Sequence, residues 1–353
     1  MNLRDFDYHL PQRLIAQQPA RQRDQSRLMI LNRQTGAIVH RLFFDLPDYL
    51  DPGDILVVNE TKVLPARLMG KKESGGKVEV LLVRRKGPAA AGQSGEEWEC
   101  LVQSSGKLRG KTPVLFSECL RGELGERMPS GLWRLSFKKD EGNLDQTLWR
   151  IGYPPLPPYI RRNGDQRVKA MDLERYQTVY AKREGAIAAP TAGLHFTEVL
   201  LDRVRGQGAQ ILALTLHVGM GTFLPVKHEE VEKHRLEPEF FEVSPETAGA
   251  ANKARALNKK VMAVGTTVTR ALESCVDEEG TIQTQRGETG LFILPGHRFR
   301  AVDALITNFH LPRSTLMMLV SAFAGRELIL TAYREAIRKN YRFYSYGDAM
   351  LIL

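Results

Sequence analysis

The sequence predicts an α/β protein whose sheet-and-helix part is interrupted by an all-β insertion. Three observations carry this prediction: from about residue 64 to 137 only short strand patterns occur, the stretch PPLPPYIRR (154–162) forms a stiff joint, and after it helices and strands alternate. Consecutive prolines fix φ and donate no backbone hydrogen bonds, so the joint marks the end of the insertion. The expected division is a discontinuous domain of residues 1–63 plus 154–353 and an inserted domain of residues 64–153.

In chain order, LMILNR (28–33) and AIVHRLF (37–43) flank a Q-T-G turn and predict a hairpin. ILVVNET (55–61) follows a P-G-D turn and predicts a buried strand. KVEVLLVRR, EEWECLVQS, TPVLFS and GLWRLSF are strand candidates separated by Gly, Pro and Ser, spaced as in a small barrel or sandwich. After the joint, TEVLLDRVRGQG predicts an amphipathic helix with Thr197 as N-cap and glycines at its end. AQILALTLHV is a continuous apolar strand, and PETAGAANKARALNKK an alanine-rich helix capped by Ser244. KVMAVGTT predicts a strand and VTRALESC a helix. VDALITNFH is the last predicted strand, followed by helices STLMMLVSAFAG, capped near Arg313 and Ser314, and RELILTAYREAIRKN.

With 42% hydrophobic and 26% charged side chains over 353 residues, the chain has the composition of a globular protein able to bury a sizeable core. No apolar run reaches the ~20 residues that span a bilayer, and the N-terminus has no basic head followed by an apolar stretch. Cys100, Cys119 and Cys275 are odd in number and widely spaced, which disfavours a disulfide framework or thiolate zinc site and predicts a reducing cytoplasm. The net charge of +9 suits an anionic partner. Much of the excess lies between residues 65 and 140, where fifteen Lys and Arg face nine Asp and Glu. On composition alone a solvated lysine-rich surface and a nucleic-acid face explain it equally well.

The residues with chemical potential fall at corresponding places. His217, the Thr266–Thr267 pair, and Asn308 with His310 each stand at the carboxyl end of a predicted strand, the edge at which open α/β sheets bind ligands. His195 opens a helix beside Thr191 and Gly193, where free N–H groups and the positive dipole end suit a bound carboxylate. Gly219 and Gly221 in HVGMGTF allow close approach of a ligand to the backbone. Each histidine has packing as its alternative role. No GxxxxGK[ST], strand-linked GxGxxG, HExxH or GxSxG motif is present. A metal hydrolase built from His195, His217, His234 and His310 with Glu239 or Asp303 stays open, although no pair has HxH or HxxxH spacing. A non-catalytic nucleic-acid-binding module is the third alternative.

AAPTAGLHF, TLHVGMGTF, AVGTTVTRALES, VDALITNFHLPRSTLMMLVSAFAG, YRFYSYGDAM, FDYHLPQRLIAQQPARQRDQSRLM and DPGDILVVNETKVLPARL together resemble the S-adenosylmethionine:tRNA ribosyltransferase-isomerase family of queuosine biosynthesis, in order from about residue 6 to 350. The resemblance implies an αβα domain with a mixed sheet interrupted by a small β-barrel, no metal, and no resident cofactor because S-adenosylmethionine is consumed. It implies ribosyl transfer to 7-aminomethyl-7-deazaguanine in GUN-anticodon tRNA, the acceptors for Asp, Asn, His and Tyr, with a monomeric enzyme contacting the anticodon stem-loop. For that chemistry the acid–base pool is expected to be His195, His217 and His310, with Glu239 as a further base raised by partial burial. The donor pocket is expected from Thr191, Gly193, Gly219, Gly221, Thr222, Thr266, Thr267, Asn308 and Ser314. Arg27, Arg67, Arg161 and Tyr344 are expected at the tRNA, Tyr344 as a stacking platform, with salt bridges and core packing as their alternatives. One departure stands out: the family pattern H-x-M-H-x-E reads HRLEPE here, so His234 and Glu239 match while Glu237 replaces a histidine.

Overall fold

The computed structural model describes residues 1–88, 95–108, 110–138, 143–162, 165–219, 221, 226 and 228–353. One unit comprises Met1–Lys62, Pro157–Arg162 and Arg175–Leu353; the other comprises Val63–Leu156 and Asn163–Glu174. The second thus begins where the sequence changes character but also takes in a segment after the proline joint.

The first unit starts with hairpin strands β1 (Arg27–Leu31) and β2 (Ile38–Leu42), then β3 (Ile55–Asn59) and the short β4 (Thr61–Val63). Every residue of ILVVN is buried, as its unbroken apolar run predicts.

The second unit is a closed antiparallel barrel in the order β10-β7-β6-β5-β8-β9. Its strands are β5 (Arg67–Lys72), β6 (Lys77–Pro88), β7 (Gly95–Ser104), β8 (Thr112–Ser117), β9 (Leu120–Arg127) and β10 (Trp133–Lys138). Closure removes the exposed edges an open six-stranded sheet would present. Alternate residues of β6 (Val78, Val80, Leu82) are buried with Trp98, Cys100, Leu124 and Leu135, giving the barrel its own core. Gly122 matters there, because a Cβ would approach Leu135 to 2.9 Å. Helices α1 (Leu144–Ile151) and α2 (Gln166–Arg175) follow; neither they nor β5 and β9 were expected from the sequence. Gly122 and Gly125 break the apolar alternation of β9, and in β5 only Leu68 is fully buried.

The first unit resumes with β11 (Arg183–Ala186), which pairs with β4, and a 3-10 turn over Thr191–His195. Then come α3 (Glu198–Gly206), β12 (Gln210–Leu216), β13 (Glu239–Val243), α4 (Pro245–Ala256), β14 (Val261–Val264), α5 (Thr266–Ser274), β15 (Gln285–Thr289), β16 (Ala304–Asn308), α6 (Thr315–Ala324), α7 (Arg326–Arg338) and β17 (Ala349–Ile352). Side chains of Thr197, Ser244 and Ser314 cap α3, α4 and α6 by accepting from Leu200, Thr247 and Met317 amides at 3.1 Å each. α5 is instead entered through Gly265, whose φ of +98° suits glycine.

These strands form a nine-stranded mixed sheet, β15-β13-β12-β3-β14-β16-β17-β1-β2. Its centre, β12-β3-β14-β16, is parallel, with Ile55 opposite both Gln210 and Val261. β17 runs antiparallel to β16 and parallel to β1, joining the hairpin to the sheet. A core of Leu28, Leu56, Met262, Ile306 and Leu351 from the sheet packs with Phe196, Leu200 and Val204. Each such side chain contributes ~1.5–3 kcal/mol of transfer free energy on full burial. Among the described residues no single helix is long and apolar enough to cross a membrane.

Candidate active site

Because β12, β3, β14 and β16 run parallel, their carboxyl ends share one edge of the sheet. A cleft of about 630 Å³ opens there, within the ~300–1,000 Å³ usual for small-molecule sites. Val218 lines it after β12, Gly265, Thr266 and Thr267 after β14, and Thr307, Asn308 and His310 at the end of β16. Thr191, Gly221, Ser314 and Tyr344 line it too, so eight of the residues expected from sequence meet in one place.

The hydrogen bonds show how each is held. Asn59, fully buried at the end of β3, bridges to β12 through the Leu216 amide and carbonyl (3.1 and 2.9 Å) and donates to Thr267 Oγ1 at 3.4 Å. Asn308 donates to the Tyr344 carbonyl at 2.9 Å, and its side chain also faces His195, whose pKa is lowered by burial and raised by this contact. Tyr344 adopts φ +72°, a left-handed conformation rare for an aromatic residue. Its ring lies 4.7 Å from that of Tyr159, whose hydroxyl pairs with Ser345 Oγ at 2.7 Å. Tyr159 and Tyr176 also line the cleft.

His310 Nε2 is 2.7 Å from Thr307 Oγ1, its amide donates to the Tyr333 hydroxyl, and its carbonyl accepts from Tyr8. Burial pushes its pKa down to about 3, leaving a neutral imidazole. The other two histidines lie elsewhere. The 3-10 turn that sends Thr191 into the cleft carries His195 onto Phe43, ring centroids 4.9 Å apart, with Nδ1 2.6 Å from Ser26 Oγ. His195 is 4% exposed and lines a small separate pocket with Arg23 and Arg175. Burial lowers its pKa to about 4, with Asp348 opposing the shift. His217 turns away from its neighbour Val218, stacks on Phe240 and pairs with Thr61 Oγ1 at 2.8 Å; burial, then Arg183, lowers it to about 4. Neither His195 nor His217, both expected in the acid–base pool, lines the cleft.

Glu239 is also placed differently from a proton-accepting base. Its Oε1 accepts from the Gly219 amide at 2.6 Å and its Oε2 from Arg270, so both oxygens anchor structure. Gly219 accordingly serves that anchor and does not line the cleft. Gly193 does not line it either, since a Cβ there would lie 2.1 Å from the Tyr180 hydroxyl; close packing requires the glycine. Thr222 lies outside the described residues.

Of the expected tRNA contacts, Arg27 is occupied by Asp348 (3.0 Å), the Lys339 carbonyl and the face of Tyr341. Arg67 pairs with Glu79 and donates to the Leu156 carbonyl. Tyr344 is 6% exposed, too buried for an open stacking platform, whereas Arg161 is exposed. The histidines of the metal alternative do not converge: His234 stacks edge-on with Phe292, and Asp303 binds the Val261 amide at the amino end of β16. Among the described residues no three His, Cys, Asp or Glu side chains are grouped as a metal site requires.

Sequence reasoning missed Asn59, Tyr159, Tyr176 and Arg270. Asn59 carried a usable signal, because it ends ILVVN as Asn308 ends ALITN. Arg270 did not, since an arginine inside a helix is ordinarily a surface residue.

The model of the family described as "Queuosine biosynthesis protein" matches residues 3–352. Curated relatives named S-adenosylmethionine:tRNA ribosyltransferase-isomerase include those of Moorella thermoacetica (52% identical over 358 residues) and Geotalea uraniireducens (50% over 353), each alignment covering all of both chains. The crystal structure of S-adenosylmethionine tRNA ribosyltransferase from Thermotoga maritima is 36% identical with a TM-score of 0.53, covering 99% of this chain and 100% of that one. With a family match over nearly its whole length and full-length relatives at half identity, the chain belongs to the queuosine biosynthesis protein family and is a transferase.

Proposed function

We propose that the protein transfers and isomerises the ribosyl moiety of S-adenosylmethionine onto 7-aminomethyl-7-deazaguanine at the wobble position of GUN-anticodon tRNA. The products are epoxyqueuosine-tRNA, adenine and methionine. The observation that carries this reading is the cleft itself, lined by threonines, Asn308 and His310 at strand ends and by the partly exposed ring of Tyr159. Hydroxyl and amide groups suit a ribose, and aromatic faces suit a purine.

The sulfonium acidifies the hydrogens on the 5′-carbon, so a base can remove one and adenine can leave the adjoining ribose, while the uncharged amine of the tRNA base is the attacking group and methionine is released from the sulfonium. Among the proposed acid–base residues His310 has the position, lying in the cleft as a neutral imidazole with Thr307 fixing one ring nitrogen. Its low pKa makes it a weak base in the empty cleft, so it acts through proximity and orientation. Thr191, Thr266, Thr267, Asn308, Ser314 and Gly221 surround the donor. S-adenosylmethionine is a consumed co-substrate and no resident cofactor takes part. The enzyme works in the cytoplasm as a monomer, on the anticodon stem-loops of tRNAs for Asp, Asn, His and Tyr.

The test is incubation with S-adenosylmethionine and tRNA bearing the aminomethyl base. Free adenine should appear in step with modified tRNA; absence of adenine would refute the proposal.

A further inference from the structure

Beside the cleft lies a smaller pocket lined by Leu236, Phe292, Leu316, Leu319 and Glu237, and the two share Arg270, Gly221, Thr315 and Leu316 as walls. Arg270 is 8% exposed, an unusual place for a guanidinium. It donates through Nε to the Leu291 carbonyl (2.9 Å), through Nη1 to Glu239, and through Nη2 to the Thr289 carbonyl at a long 3.5 Å. A guanidinium has five N–H groups in a planar fork. One N–H on each terminal nitrogen is thus left over, on a group that lines both spaces. Thr315 and Leu316 bring the first turn of α6 to the same walls. Ser314 satisfies the amide of Met317 but not those two.

We propose that Arg270 binds the carboxylate of the methionine part of S-adenosylmethionine, with the aliphatic stem against Leu316 and Leu319 and the exposed Glu237 carboxylate at the pocket rim toward the α-ammonium. This deepens, and rests on, the reading of the cleft as the donor site. The Glu239 ion pair and two carbonyls fix the guanidinium before ligand arrives, so little side-chain entropy is lost on binding. Leu236, Phe292, Leu316 and Leu319 give the aliphatic stem an apolar wall. Arg270 is then a binding residue that fixes the orientation of the donor, placing the nucleoside toward Tyr159.

The test compares binding of S-adenosylmethionine with that of decarboxylated S-adenosylmethionine, which keeps the sulfonium and nucleoside but lacks the carboxylate. Wild-type protein should bind the decarboxylated compound about tenfold to hundredfold more weakly, as expected for loss of a charge-assisted hydrogen bond. Arg270→Lys, which keeps a cation beside Glu239, should weaken S-adenosylmethionine at least ~tenfold while changing the decarboxylated compound less than ~twofold. Equal affinity of the wild type for both ligands overturns the inference without any variant, and so does equal weakening of both by Arg270→Lys. Failure of the wild type to bind or consume S-adenosylmethionine at all would instead refute the proposed function.

Discussion

At the level of single residues, position and not burial separates the histidines, since His195 and His310 are both buried. Only His310 of the three expected acid–base histidines reaches the cleft. His310→Ala should lower adenine release by ~10²–10⁴ in protein that still unfolds cooperatively, measured by quantifying adenine under saturating S-adenosylmethionine. Loss of less than tenfold would remove it from the chemistry. All three imidazoles are depressed, to about 4 for His195 and His217 and about 3 for His310, against 6.5 in the unfolded chain. Between those values the unfolded state takes up protons that the folded state refuses. Their contribution to stability is therefore fully present above about pH 6.5 and is lost as the pH falls toward 4, an effect on the order of a few kcal/mol for each fully buried imidazole. Urea midpoints measured from pH 7.5 to 4.5 should fall steeply below 6.5, and His195→Gln should flatten that decline. An unaltered slope in the variant would contradict the buried neutral state.

At the scale of elements, helix caps offer a controlled comparison. Ser244 caps α4 away from the cleft and Ser314 caps α6 beside it, by the same bond to a third-residue amide. Serine to alanine at either position should cost ~1 kcal/mol in chemical denaturation. Only Ser314→Ala should also raise the KM for S-adenosylmethionine; an equal KM in both would confine Ser314 to capping. These caps were legible in the sequence, because an uncharged polar residue before an apolar period has one dominant meaning. Strands were legible where the apolar run was continuous, as in ILVVN and ALITN. β13, β15 and β17 were not. EFFEV, QRGET and AMLI owe their extended state to neighbours far away in sequence, such as Thr289 opposite Glu239 and Met350 opposite Met29. Local propensity cannot report such pairing.

For the molecule as a whole, the net charge of +9 is a property of the surface and not of single contacts. Arg27 and Arg67 were reasonable candidates by residue type, but each answers a carboxylate within its own unit. Affinity for tRNA should nonetheless fall by ~10² or more between 50 and 200 mM salt, as counterion release requires when several phosphates are neutralised. Titrating labelled anticodon stem-loop across that range checks it, and a flat response would mean the excess is solvated surface. The candidate site was about half legible: polar residues at strand ends could be seen, while the direction each faces could not. His195 and Thr191 share one turn, yet only three-dimensional rotation separates the histidine from the cleft that receives the threonine.

The pairing of β3 between β12 and β14 has a bearing on biosynthesis. ILVVN emerges from the ribosome about 150 residues before the first of its two partners. At roughly 5–20 residues per second, this sticky segment waits on the order of ten seconds without a mate. Long-range parallel closure of this kind is intrinsically slow and exposed to misassociation. The nascent polypeptide should consequently lean on holding chaperones during that interval, and slowing translation between residues 60 and 210 should lower its soluble yield.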